Sequence, residues 1–151
     1  MKVVMATGTF DILHPGHGLY LEESKKLGGK DCKLVVIVAR DSTVRDRKRI
    51  PIIDENQRLE MIKMLKPVDK AYLGHKTDMF KIVEEINPDI IAIGSDQSFN
   101  LENIKNQLEK RNIEAEVIRI SDYRKAKLDS TCKIIRKIKQ TDFEEKNLKD
   151  C

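Results

Sequence analysis

The chain has no tryptophan, and aromatic side chains make up only 5% of its 151 residues. It also lacks a zinc-finger spacing or an RNA-binding signature, so nothing offers the stacking or groove-reading surface of a nucleic-acid binder. Cysteine is scarce and odd in number: Cys32, Cys132 and Cys151 stand far apart, and no CxxC pair occurs. That argues against a disulfide framework and a structural zinc site, and it fits a reducing interior. No apolar run comes near the ~20 residues that a membrane-spanning helix needs. The longest, LVVIVA at residues 34–39, has the length of a buried strand. The opening MKVVMATG carries a lysine but no h-region and no cleavage site. No secretory leader is therefore expected, and the expected compartment is the cytoplasm. A large excess of one charge is lacking too: 29 Lys and Arg face 25 Asp and Glu, a net charge of +4. Neither a nucleic acid nor a membrane is expected as a partner.

What is present is a globular composition, 40% apolar and 36% charged, in a length that suits one domain with one core. Apolar runs alternate with helical patterns throughout. KVVMATG, CKLVVIVA, DKAYLG, DIIAIG and AEVIRI read as five strands. Between them, residues 17–27 read as a helix ending at Gly28 and Gly29. Asp54 is a good N-cap for ENQRLEMIKMLK, which sets Leu59, Ile62 and Leu65 on one face. DMFKIVEEIN is a helix stopped before Pro88, and NLENIKNQLEKRN is the next. Asp129 or Ser130 then caps a last helix, TCKIIRKIK, before a polar tail. RDRKR at residues 45–49, the one dense basic cluster, reads as a loop after the second strand. Strictly alternating strands and helices imply a doubly wound parallel sheet, because each parallel crossover needs a helix. In such sheets the ligand lies beyond the carboxyl ends of the strands.

The first strand runs into TGTFDILHPGH at residues 7–17, which holds two of the three histidines, His14 and His17. Gly8 can adopt backbone angles closed to other residues and lets a ligand approach. Pro15 and Gly16 stiffen the turn before the helix. That helix end offers unpaired N–H groups and the positive end of a dipole, which suits phosphate. His14 and His17, three apart, share one side of the first turn and could donate to phosphate oxygens. A P-loop is absent, and Gly8, Gly16 and Gly18 do not have dinucleotide-fingerprint spacing. A metal site would need further ligands, for which Asp11 and His75 are the obvious candidates. A plain helix cap with two surface histidines is the remaining reading.

GTFDILHPGH resembles the (H/T)xGH signature of the nucleotidylyltransferase superfamily, and more closely the GTFDxLHxGH form of cytidylyltransferases. DSTCKI at residues 129–134 is similar to that superfamily's second, STxxI-like signature at a helix start after the fifth strand. The resemblance covers residues 1–138 and leaves 139–151 as a polar tail. With GSDQ at residues 94–97 added, the chain most resembles the archaeal-type FAD synthetases, which transfer AMP from ATP to FMN. Glycerol-3-phosphate cytidylyltransferases share the first motif but carry RTEGISTT as the second. Here KAKLDSTC stands instead, with Lys125 in place of that arginine and no EG, which counts against them.

The resemblance implies a Rossmann-like, doubly wound five-stranded parallel sheet in a single domain, with ATP and FMN as substrates. It also implies a divalent cation, Mg2+ or similar, and a possible homodimer. His14, His17 and Lys48 become the expected catalytic residues. Thr9 and Phe10, through their backbone N–H groups, are expected on the α-phosphate, with Pro15 and Gly16 beside it. Ser130 and Thr131 are expected on the β- and γ-phosphates, Asp96 on the ribose or adenine, and Tyr123 against the nucleotide. Asp41 is the expected acceptor contact, and Asp11 the expected approach to the metal. Base preference should depend on residues 93–97 and 119–123. Cys132 falls in the same first turn as Ser130 and Thr131, so alkylation there is expected to inhibit and ATP to protect. A nucleotide-binding regulatory module without turnover is the alternative of another class.

Overall fold

Each of the five apolar runs becomes a strand in the computed structural model, which describes residues 1–121, 125–149 and 151. β1 (Val3–Gly8), β2 (Lys33–Val38), β3 (Lys70–Leu73), β4 (Ile90–Ile93) and β5 (Glu116–Arg119) form one sheet in the order β3-β2-β1-β4-β5. All four pairings are parallel. The doubly wound, Rossmann-like single domain expected from the sequence is the one observed.

Alternation along the strands sorts two cores. Val4 and Ala6 of β1 point with Leu34 and Val36 of β2 toward α1 (Pro15–Leu27) and α3 (Glu55–Lys63), where Leu21 and Ile62 close the packing. Met5, Val35 and Ile91 point the other way, onto α4 (Met79–Ile86) and α5 (Leu101–Lys110) through Ile82, Val83 and Leu108. β2 is covered on both faces, which is why its sequence is continuously apolar rather than alternating. No helix among the described residues is long and apolar enough to cross a membrane.

The helix ends follow local chemistry. The Asp54 carboxylate accepts from the N–H groups of Asn56 and Gln57, and α6 (Thr131–Gln140) is capped by Ser130 rather than Asp129. α1 begins at Pro15, two residues before the expected start, because His14 itself is the N-cap. α3 stops at Lys63 instead of Lys66, and the chain turns there toward Pro67. The basic cluster is not wholly a loop: Asp41–Asp46 form a short helix, α2, whose end takes in Arg45. Only Val44 of α2 is buried, so no apolar period could announce it.

Strand order reverses between β1 and β4. Their pairing ends at Ala6 and Ala92, while β1 continues beside β2 to Gly8. A crevice therefore opens past Ala6, at the end of β1 that leads into the histidine loop. The Tyr20 hydroxyl spans its base. It donates to the Ala92 carbonyl at 2.8 Å and lies 3.2 Å from the Thr7 carbonyl, while the Thr7 N–H donates to it at 3.3 Å.

Candidate active site

The loop from β1 to α1 is built around Phe10. Its backbone is left-handed (φ +53°) and its ring is buried. A Cβ on residue 8 would meet that ring at 2.7 Å, so Gly8 is needed to seat Phe10 rather than to admit a ligand. The Phe10 ring stacks at 6.4 Å on Tyr20 and meets His17 edge-on at 5.4 Å. His17 in turn stacks on His14 at 3.8 Å. Gly16 is explained in the same way: a Cβ there would lie 2.8 Å from the His14 ring.

Both imidazoles are set up as neutral donors. His14 Nδ1 accepts the Gly16 N–H at 3.1 Å, so its proton resides on Nε2. Burial lowers the His14 pKa, and the charges of Asp96 and Asp129 partly oppose this. Burial, with a smaller contribution from neighbouring His14, drives His17 down to about 3. Nδ1 of His17 is buried and has no hydrogen-bond partner among the described residues. Such a polar atom costs about 1–3 kcal/mol until something pairs with it.

The second motif arrives from the other end of the chain. The Thr131 hydroxyl donates to the Ile12 carbonyl at 3.1 Å. The Asp129 carbonyl would stand 3.4 Å from a Cβ on Gly16. The N-termini of α1 and α6 thus converge beside the two histidines. Ser130 Oγ accepts the Lys133 N–H at 3.1 Å, which leaves its own proton to donate. Asp129 is buried and pairs with Lys133 Nζ at 2.6 Å. Cys132, next in the same turn, is exposed.

Asp96 follows β4, and its charge acts on His14. Its segment is fastened by Gln97, which accepts from Gly94 N–H at 2.7 Å and donates to the Thr7 carbonyl at 3.0 Å. Arg119 adds bonds to the carbonyls of Gly94, Gln97 and Phe99. Tyr123 lies outside the described residues.

Asp41 and Lys48 sit past β2. Lys48 is exposed in the turn after α2, with φ +59°. Asp41 is held by Arg58 at 2.7 Å. Desolvation would raise its pKa, but the hydrogen bond from Arg58, one from Glu55, and the charges of Arg58 and Arg45 outweigh that and lower it. Arg58 is the residue that sequence reading missed. Its guanidinium is fully buried and donates to the carbonyls of Ile53, Thr9 and Ala39 at 2.8, 2.6 and 2.8 Å. It joins the histidine loop, the end of β2 and the approach to α3. A signal existed, since Arg58 stands four residues before Ile62 on the inward face of α3.

Asp11 accepts the N–H groups of Ile52 and Ile53 on its two carboxylate oxygens, at 2.9 and 2.8 Å. Among the described residues no three His, Cys, Asp or Glu side chains gather to hold a metal ion. The donor set therefore does not fit a cation held by the protein alone.

On the opposite sheet face, under the carboxyl ends of β1 and β2, lies a cavity of about 770 Å³ including its open mouth. Met5, Ile37 and Ile91 of the sheet and Phe80, Ile82 and Ile104 of the helices line it. In the sequence these side chains fall in separate strand and helix patterns, and nothing local marks them as sharing a cavity.

A family model described as cytidylyltransferase-like matches residues 5–137. The FAD synthase of Methanothermobacter thermautotrophicus is 62% identical over 151 residues, covering 100% of both chains. That of Methanobrevibacter ruminantium is 66% identical over 142 residues, covering 94% of this chain and 95% of its own. Among solved structures, a lipopolysaccharide core biosynthesis protein from Thermoplasma volcanium superposes with a TM-score of 0.78. It is 54% identical, with 82% of this chain and 99% of that one covered.

Proposed function

The chain belongs to the cytidylyltransferase-like family, and from that premise we propose that it is an FMN adenylyltransferase, transferring AMP from ATP to FMN with release of pyrophosphate. The observation that carries this reading is the convergence of the α1 and α6 N-termini beside two neutral histidines. Two helix dipoles and a set of N–H donors face one small volume, as a triphosphate requires. The acceptor half rests on the similarity to FAD synthases and on the apolar cavity next to Gly8, whose walls suit a flat, apolar ring system.

The reaction needs little from the protein beyond position. The FMN phosphate is largely dianionic at neutral pH, since its second pKa is about 6. One of its oxygens attacks the α-phosphorus of ATP in line, a new P–O bond forms, and the bond to the β-phosphate oxygen breaks to release pyrophosphate. No general base is required. His14 donates from Nε2–H and His17 from its ring N–H to phosphate oxygens as charge builds on them, and the backbone N–H groups of Thr9 and Phe10 hold the α-phosphate. Pro15 and Gly16 shape the helix end. Ser130 donates its hydroxyl proton to the β- or γ-phosphate. The Thr131 proton is committed to Ile12, so Thr131 contributes its backbone N–H. Lys48 neutralises the triphosphate, Asp96 receives the ribose or adenine, Tyr123 packs on the nucleotide, and Asp41 borders the acceptor. A divalent cation, Mg2+ or similar, enters with the triphosphate. Residues 1–138 are assigned as the working domain and 139–151 as a tail.

Pyrophosphate release with ATP or CTP, paired with FMN or glycerol phosphate, tests the reading. Release is expected with ATP and FMN, and His17→Ala should lower kcat by about 10²–10³. Preference for CTP and glycerol phosphate would make the enzyme a polyol-phosphate cytidylyltransferase. Nucleotide binding without release from any acceptor would make it a regulatory module, and full turnover by His17→Ala would remove that residue from the chemistry.

A further inference from the structure

The mouth of the apolar cavity is lined by three ionisable side chains, and two of them are engaged. Arg40 donates from Nε to the Gly74 carbonyl at 2.6 Å and pairs with Glu55 at 3.2 Å. His75 Nε2 lies 3.1 Å from a Glu85 carboxylate oxygen. Arg47, the third, has no ion pair or side-chain hydrogen bond among the described residues. Its guanidinium carbon instead sits 5.3 Å from the centre of the Phe99 ring, which also lines the cavity.

We propose that Arg47 and Phe99 form a removable cap over this cavity, and that Phe99, once Arg47 leaves it, is the platform on which the acceptor's planar ring stacks. The inference rests on the cavity being the acceptor site. Phe99 is half-buried, and a cation over such an aromatic face makes a weak contact that a flat ring can replace. The two partners are unequally held. The Phe99 backbone is fixed, because its carbonyl takes the Arg119 guanidinium at 2.6 Å. Arg47 is exposed, in the turn that ends α2, with a long side chain and, among the described residues, no carboxylate to retain it. The platform stays while the cap moves. The cap also keeps water off a wall that would otherwise lie open, and it favours acceptors with a stacking face over aliphatic ones. Phe99 and Arg47 are thus specificity residues for the acceptor rather than participants in phosphoryl transfer.

Flavin emission, which stacking quenches, gives the test. Riboflavin, which has the ring but no phosphate, is titrated against the parent, Phe99→Leu, Phe99→Tyr and Arg47→Gln. Phe99→Leu should weaken riboflavin binding by about fivefold or more, and Phe99→Tyr, which keeps a stacking face, should restore it. Arg47→Gln should bind riboflavin at least as tightly as the parent, since it removes the competitor for the ring. Thermal melting of each variant separates local from global effects. If Arg47→Gln loses riboflavin as Phe99→Leu does, Arg47 belongs to the ring site and the cap is overturned. If Phe99→Leu binds like the parent, the platform is overturned while FAD formation by the parent leaves the acceptor reading standing. A parent that releases pyrophosphate only with non-flavin acceptors overturns the acceptor reading, and the inference with it.

Discussion

His14 and His17 share one helical turn but differ in surroundings. His14 has a hydrogen-bonded Nδ1 and two carboxylates whose charges act on it, whereas His17 is packed under Phe10 with an unpaired Nδ1. An unfolded histidine titrates near 6.5, while folded His17 titrates at about 3. Between those values the unfolded chain binds a proton that the folded chain refuses, so acidification through that window destabilises the fold. The loss begins as pH falls past 6.5 and is complete below about 3. His17→Gln removes this linkage. The melting temperature of the variant should fall less than that of the parent between pH 7 and pH 5 in ligand-free protein. Equal falls would mean that His17 is not desolvated to this degree. The sequence marked both histidines and their helix end. It could not mark the difference between them, because that depends on Phe10 and Tyr20, whose stacking is a matter of three dimensions.

At the scale of elements, α6 does two separable things at its first turn. Ser130 caps it, and Thr131 ties it to Ile12 in the histidine loop. Ser130→Ala should cost about 1 kcal/mol of stability through the lost cap, together with the phosphate donor proposed above. Thr131→Val keeps both but frees the tie, so the two helix ends lose their mutual placement. The expected result is a larger rise in the ATP KM than in Ser130→Ala for a smaller fall in melting temperature. Steady-state kinetics and thermal melts on the same samples check this, and a parallel loss in both variants would mean that the tie adds nothing to the cap. The cap itself was legible, since serine and threonine before an amphipathic run are a local signal. α2 was not, because a six-residue helix with one buried side chain has no period to read. Gly8 was legible as special for the wrong reason: its partner is a side chain two residues away, not a ligand.

At the scale of the molecule, the sheet could be read because alternating strands and helices leave few unknotted arrangements. The order β3-β2-β1-β4-β5, with its switch point at β1 and β4, is one of those arrangements. What alternation cannot reveal is the joint that holds the switch point together. Arg58 supplies it, across 49 residues to Thr9 and 17 to Asp41. A buried guanidinium is stable only with its whole hydrogen-bond set, and here three carbonyls and one carboxylate provide it. Lysine has no planar fork and cannot reproduce four divergent bonds. Arg58→Met would leave Asp41 without its cation and three carbonyls without their donor, at about 3–5 kcal/mol. The pH dependence gives a second check. Asp41 is held below its ordinary value, so in the parent it contributes stability that is present above that value and lost as pH falls through the lowered one. In Arg58→Met that acid-labile contribution should disappear. Urea denaturation of both proteins at pH 7 and at pH 3, below the ordinary Asp41 value of 3.8, should therefore give a stability gap that narrows on acidification. A gap of constant size would place the effect of Arg58 in packing alone, and no gap at pH 7 would mean that the four bonds merely replace what solvent supplies.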